Sequence, residues 1–150
     1  MKIRIIGPVG SGKTTLAHKI ASTEHYPVTS LDDLNWERHA TGDRHRTSSE
    51  IQVLLQAIIQ KNDWIIEGAQ FRGGQDCFAL ADVIYVLDPP YYKNLYYILK
   101  RWFSHHLHDG PKQYRHLRLF FKWQNNWRKN DRNDVYRLLK KYNKKVIIIR

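Results

Sequence analysis

The sequence predicts an α/β fold, a parallel sheet layered between helices within a single domain of 150 residues. Two observations predict it. Short apolar runs of strand length recur along the chain and alternate with segments of helical period, the pattern of a sheet covered on both faces. The first of those runs feeds a glycine-rich loop that opens a helix, in "IRIIGPVGSGKTTLAHKI". The length is that of one domain and suffices to bury a core without disulfides.

The elements follow in order. Lys2–Ile6 is a buried strand entering the loop. Lys13–Ala21 is a helix, with Leu16, Ala17, Ile20 and Ala21 on one face. Tyr26–Ser30 is a second, short β run. Thr47–Lys61 is the clearest helix: Thr47 and Glu50 have capping-box spacing, and Ile51, Leu54, Leu55, Ile58 and Ile59 follow the i, i+3, i+4, i+7, i+8 rule. "DWIIEG" and "DVIYVLD" are apolar runs closed by an acid, and Pro89–Pro90 stops the second. Helical patterns follow at about 91–107, 112–129 and 133–142, and "KKVIIIR" is a last strand. There is no internal repeat and no low-complexity linker.

Composition narrows the class. Apolar residues make up 42% and aromatics 13%, as in a globular domain. Cys77 stands alone, so no internal disulfide can form and a reducing cytoplasm is the expected setting. No apolar stretch approaches the ~18 residues of a membrane span, and no signal peptide precedes the first strand, so no membrane partner is expected. The charge is lopsided. Residues 1–88 hold 9 Lys/Arg and 11 Asp/Glu, whereas residues 89–150 hold 16 Lys/Arg and 3 Asp. The basic half calls for an anionic partner or a solvated helix surface.

"GPVGSGKT" fits G-x-x-x-x-G-K-[ST] at Gly7, Gly12, Lys13 and Thr14. Glycines let a backbone wrap a phosphate with its N–H groups inward, and the following helix N-terminus adds partial positive charge. Gly7, Gly10, Ser11, Gly12, Lys13, Thr14 and Thr15 are therefore the expected ATP-phosphate residues. Lys13 would reach the β- and γ-phosphates, and the Thr14 hydroxyl would ligate Mg2+. The bland alternative is a glycine turn, but the loop has the required strand before it and helix after it. "GSGKTT" also resembles half of a dinucleotide fingerprint, against which Lys13 and Thr15 argue. The expected fold is thus a P-loop NTPase, a three-layer α/β/α domain with a five-stranded parallel sheet.

No base-reading Asn/Thr-Lys-x-Asp motif of a switch GTPase is present, and "FRGGQD" at 71–76 matches a transporter ATPase signature only superficially. A small kinase-type domain remains. Glu67 ends the strand expected beside the loop strand, as a metal-facing acid or as a capping one. Asp32 and Asp33 follow the second strand, at the sheet edge where ligands sit. One of them would polarise an acceptor hydroxyl or hold Mg2+ through water; the alternative is an N-cap. Either aspartate would serve as base toward a hydroxyl acceptor; Asp33 is the candidate catalytic residue and Asp32 a candidate metal ligand. Asp88, before the prolines, reads as turn chemistry. Phosphoryl transfer needs converging arginines. Arg72 follows Glu67-Gly68, and Arg101 lies on the helix after the fourth strand, where a lid arginine would start. Arg44 and Arg46 could clamp an anionic acceptor or be surface residues.

The segments "IRIIGPVGSGKTTLA", "LDDLNWERHATGDRHR", "DWIIEGAQ" and "ADVIYVLD" resemble the FlaR-like DNA topology modulation proteins, bacterial P-loop proteins related to adenylate kinase. The likeness covers roughly the first ninety residues well and the tail more loosely. It implies strand order 2-3-1-4-5, ATP binding, phosphate contacts from Gly10 to Thr15, Glu67 at a Mg2+-facing strand end and Arg101 in a lid. It also implies an acceptor-site insert at about 31–62 and a basic helical lid region at about 91–142. Such kinases carry more chain after the fifth strand, including a loop that packs on adenine. This sequence stops at Arg150, as a truncated copy would, and leaves base recognition unassigned.

The tail interleaves Tyr, Trp and Phe with Lys and Arg, a pattern that can bind nucleic acid. The competing reading is a core face, since Leu117, Phe120, Phe121 and Trp127 lie close together on one side of a helix. His105, His106, His108 and His116 lack regular metal-ligand spacing. The reading of the whole is an ATP- and Mg2+-dependent small-molecule kinase of nucleotide or nucleoside type. Its class alternative is a DNA-binding regulatory ATPase that uses the basic half. The acceptor and the oligomeric state are left open.

Overall fold

The computed structural model describes residues 1–107, 117–142 and 145–150. Strand β1 (Lys2–Ile6) leads through the glycine loop into α1 (Lys13–Glu24), followed by β2 (Val28–Ser30) and a single helical turn, α2 (Leu31–Leu34). A small antiparallel hairpin, β3 (Trp36–Glu37) and β4 (Arg44–His45), precedes α3 (Ser48–Ile59) and β5 (Trp64–Glu67). Then come α4 (Asp76–Leu80), β6 (Val83–Leu87), α5 (Tyr91–Leu107), α6 (Leu117–Asn126), α7 (Arg132–Leu139) and β7 (Lys145–Ile149).

The main sheet is five-stranded and parallel, in the order β2-β5-β1-β6-β7. The hairpin strands β3 and β4 form their own sheet, which the apolar pattern does not announce because their residues are polar and half-buried or exposed. With the hairpin left out of the count, the five strands run 2-3-1-4-5.

Strand periodicity splits the core in two. Ile3 and Ile5 of β1 pack with Ile65 and Leu87 against Ala17 of α1. Ile6, Trp64, Ile66, Ile84 and Val86 face the other way, onto Leu55 and Ile59 of α3, Phe78 of α4, and Trp127, Val135 and Leu138. These are the three layers. Strand β7 is the outer edge, and Val146, Ile148 and Ile149 there are exposed despite being apolar.

Local signals act as written. The Thr47 hydroxyl accepts from the Glu50 N–H at 3.3 Å, and Glu50 accepts from the Thr47 N–H at 2.7 Å, which closes the capping box of α3. The expected break near residues 130–132 does not occur. A π-helical turn, Trp127–Asp131, joins α6 to α7. No Gly or Pro interrupts "NNWRKNDRND". Its polar side chains bond to one another instead, Asn126 to Asp131 at 2.6 Å and Asn130 to Asn126 at 2.9 Å. The extra residue in the turn keeps Trp127 and Val135 both on the core side.

Candidate functional site

The glycine loop is shaped by its lack of side chains. Gly10 and Gly12 have φ of 72° and 90°, the left-handed region that favours glycine. A Cβ on Gly7 would lie 2.5 Å from the Leu87 carbonyl oxygen, so the loop seats directly on the end of β6. A Cβ on Gly10 would lie 2.8 Å from Ile98 and 3.0 Å from Asn94, so α5 also leans on the loop. Gly12 is the N-cap of α1 and offers no side chain to its first amides, which leaves them for an anion.

Lys13 is buried, with 8% of its surface exposed, and its Nζ donates to the Pro8 carbonyl at 2.7 Å. Burial pushes its pKa down to about 8, against the pull of Glu67 and Asp32. The Thr14 hydroxyl donates to Glu67 Oε1 at 3.1 Å, and Glu67 is 3% exposed at the end of β5. Asp32 Oδ1 accepts from Gln70 Nε2 at 3.3 Å. Thr14 and Glu67 thus present hard oxygen donors side by side, a set that suits Mg2+ held partly by nucleotide phosphates. Among the described residues no group of three or more His, Cys, Asp or Glu converges as a metal cage.

A cleft of about 640 Å³ opens over the loop. One wall is Gly10–Thr15 with Lys19; the other is the stripe Lys93, Tyr97, Lys100, Arg101 and Ser104 of α5, with Arg150 closing an end. Among the described residues no Asp or Glu lines it. The cleft therefore has the size and charge of a nucleoside polyphosphate site.

The other sequence candidates are placed differently. Arg101 lines the cleft, whereas Arg72 is 73% exposed and turns to Asp131 and Asp134 at 3.4 and 3.6 Å, over the Phe71 ring. Asp32 acts electrostatically on Lys13, while Asp33 is 78% exposed and faces Arg38 at 3.8 Å. Arg44 is held by Glu37 and Glu50 at 2.6 and 2.8 Å, and together with Thr47 it draws the Glu50 carboxyl down to about 2. Arg46 donates to the carbonyls of Leu34 and Trp36. Asp88 accepts two-pronged bonds from Arg132 at 2.7–3.0 Å and one from Tyr136 at 3.1 Å, so it fastens α7 to the end of β6. Phe120 and Trp127 are core residues, while Tyr92, Tyr96, Phe103 and Trp123 are exposed. The side chains of His105, His106, His108 and His116, and residues 108–116 of the expected lid, lie outside the described residues.

Two features escape sequence reasoning. The α5 stripe, Arg101 apart, is one: positions 93, 97, 100 and 104 keep helical spacing with it, but aromatic neighbours mask them. Arg4 is the other. It is fully buried in β1, where "KIRII" reads as an apolar strand. Its guanidinium donates to the carbonyls of Ile5, Ile66, Gly68 and Gln70, the last at 2.7 Å, and sits 5.0 Å from the Phe78 ring centre. It thereby fastens the turn that follows Glu67.

No family model and no curated protein matches the chain. Among solved structures it is similar to an unliganded sugar kinase from Janibacter sp., with TM-score 0.51 and 16% identity over 99% of this chain and 83% of that one. A gluconokinase from Sinorhizobium meliloti gives 0.51 and 12%, over 99% and 82%. A deoxyadenosine kinase from M. mycoides with bound dATP gives 0.50 and 14%, over 99% and 90%. At such identities the likeness is one of fold: the chain has the α/β fold of small-molecule P-loop kinases.

Proposed function

We propose that the protein is an ATP-dependent small-molecule kinase. The observation that carries the reading is the buried Lys13 in a cleft lined by cations, with the Thr14–Glu67 oxygen pair beside it. The loop amides and the N-terminus of α1 would hold the phosphates. Lys13 and Arg101 would neutralise charge on the transferred phosphoryl group. Mg2+, held by Thr14, Glu67 and the phosphates, with Asp32 through water, would supply further charge neutralisation when bound. The glycine loop and α5 would form the two walls on either side of the nucleotide. The acceptor would enter beside Glu67, Asp32 and Gln70, at the carboxyl ends of β2 and β5. Arg72 faces Asp131 and Asp134 and Asp33 faces Arg38, so both would have to turn from these partners to take part. Membership of the FlaR-like family belongs to the same reading.

The test is a screen for acceptor-stimulated ATP consumption with nucleoside monophosphates, nucleosides and small hydroxy compounds, for wild type and Lys13→Ala. The expected outcome is turnover with at least one acceptor class, lost in the variant. Absence of any stimulated turnover, with salt-dependent DNA binding that survives Lys13→Ala, would overturn the kinase in favour of a DNA-binding ATPase.

A further inference from the structure

The charges of the molecule are sorted between the two sides of the proposed reaction. The proposed nucleotide cleft gathers cations from the loop, α1 and α5, and among the described residues no Asp or Glu lines it. The acceptor side is the reverse. Residues 31–50 carry five carboxylates against three arginines. Each of those arginines is already engaged: Arg38 by Asp33 and Asp43, Arg44 by Glu37 and Glu50, and Arg46 by two backbone carbonyls. A phosphate arriving here could recruit Arg44 only by leaving Glu37 and Glu50 beside the new anion, so rearranging the pairs does not remove the negative excess. Arg4 lies below the same strand ends, but it is fully buried and its two terminal nitrogens already donate to carbonyls. Arg72 is turned towards Asp131 and Asp134.

Resting on the kinase reading, we infer that the acceptor is a hydroxyl compound without an anionic group, of the nucleoside, sugar or polyol kind, and not a monophosphate or an acid. The step balances with the groups present. The acceptor hydroxyl oxygen forms a bond to the γ-phosphorus of the nucleoside triphosphate. The bond from that phosphorus to the bridging β–γ oxygen breaks, and the diphosphate leaves with the electron pair. The hydroxyl proton leaves to solvent water, so atoms and charge balance without a further co-reactant.

Matched pairs test this: a nucleoside against its monophosphate, and a sugar against its sugar acid, each with Mg-ATP and the full chain. The expected result is a kcat/KM at least about ten-fold higher for the uncharged member of each productive pair. Glu37→Lys, on the exposed hairpin, should narrow the ratio within a pair. Preference for the anionic members, or equal kcat/KM within each pair, overturns the inference while the kinase stands. Transfer to no member of any pair overturns both.

Discussion

Replacing Lys13 by methionine is expected to abolish phosphoryl transfer and, at the same time, to stabilise the ligand-free protein. The two effects have one cause. A buried ammonium waiting for phosphates is costly until they arrive. The folded pKa of about 8 lies below the ordinary 10.5. At neutral pH the group is charged both folded and unfolded, and the fold bears the full penalty, about 3 kcal/mol for a shift of this size. The hydrogen bond to the Pro8 carbonyl returns about 1 kcal/mol. Lys13→Met should therefore gain roughly 2 kcal/mol at pH 7, or about 4–8 °C in Tm for a domain this long. The sign of the pH dependence follows. The wild-type penalty is complete below pH 8, shrinks as pH rises from about 8 to 10.5, and vanishes above. Melting curves of both proteins across that range should converge at the alkaline end. Transfer should fall by about 10³-fold, since the lysine answers charge on the moving phosphoryl group. Affinity of wild type for nucleotide should weaken as pH passes 8. A variant that melts below wild type at pH 7, or retains a tenth of the turnover, contradicts this account.

Arg4→Met carries the largest expected loss of stability. Burial lowers the Arg4 pKa to about 10, a cost of about 3 kcal/mol for a group that stays charged. Against it stand four hydrogen bonds from the guanidinium to carbonyl oxygens, at roughly 1.5–3 kcal/mol each. The bonds win. Methionine fills much of the volume but leaves the carbonyls of Gly68 and Gln70 without their donor, so a net loss of about 3–5 kcal/mol is expected. That is a Tm decrease of roughly 10 °C by thermal melting. Arg4→Lys should fall between the two, because one ammonium cannot reach four acceptors set for a planar fork. Wild-type melting for Arg4→Met would mean that the carbonyls find water instead.

These two residues mark the limits of what the sequence discloses. Lys13 is legible because the phosphate-loop motif has a fixed spacing within one continuous stretch of chain. The strands and α3 are legible for a similar reason, since burial on two faces or one writes a period of its own and Thr47–Glu50 marks a start. Arg4 is not, because the partners that make an arginine tolerable in a core come from residues 66–70, and nothing in "KIRII" refers to them. The π turn at Trp127 was hidden by polar residues that resemble a loop and bond as a helix surface. Arg72 shows the complementary difficulty: its position after Glu67-Gly68 suits an acceptor site, yet two aspartates of a distant helix draw its side chain away. The Lys93–Ser104 stripe needed knowledge of which face of α5 meets the loop, which Gly10 against Asn94 and Ile98 decides.

Strand β7 has a colloidal consequence. Its outward backbone groups and its exposed Val146, Ile148 and Ile149 form a template on which another copy can lie. Lys145 and Arg150 bracket the apolar run, and the net charge of +11 pushes copies apart. Repulsion of that kind has a range of about 10 Å in 0.1 M salt and about 3 Å in 1 M. Light scattering should accordingly show self-association that grows with added salt, the reverse of the usual advice for keeping a basic protein dispersed; scattering that falls with salt would mean the edge is inert. The same ions would loosen a polyphosphate from the cleft, so brine acts on this protein twice, as a competitor at one end of the sheet's ligand edge and as a glue along its side.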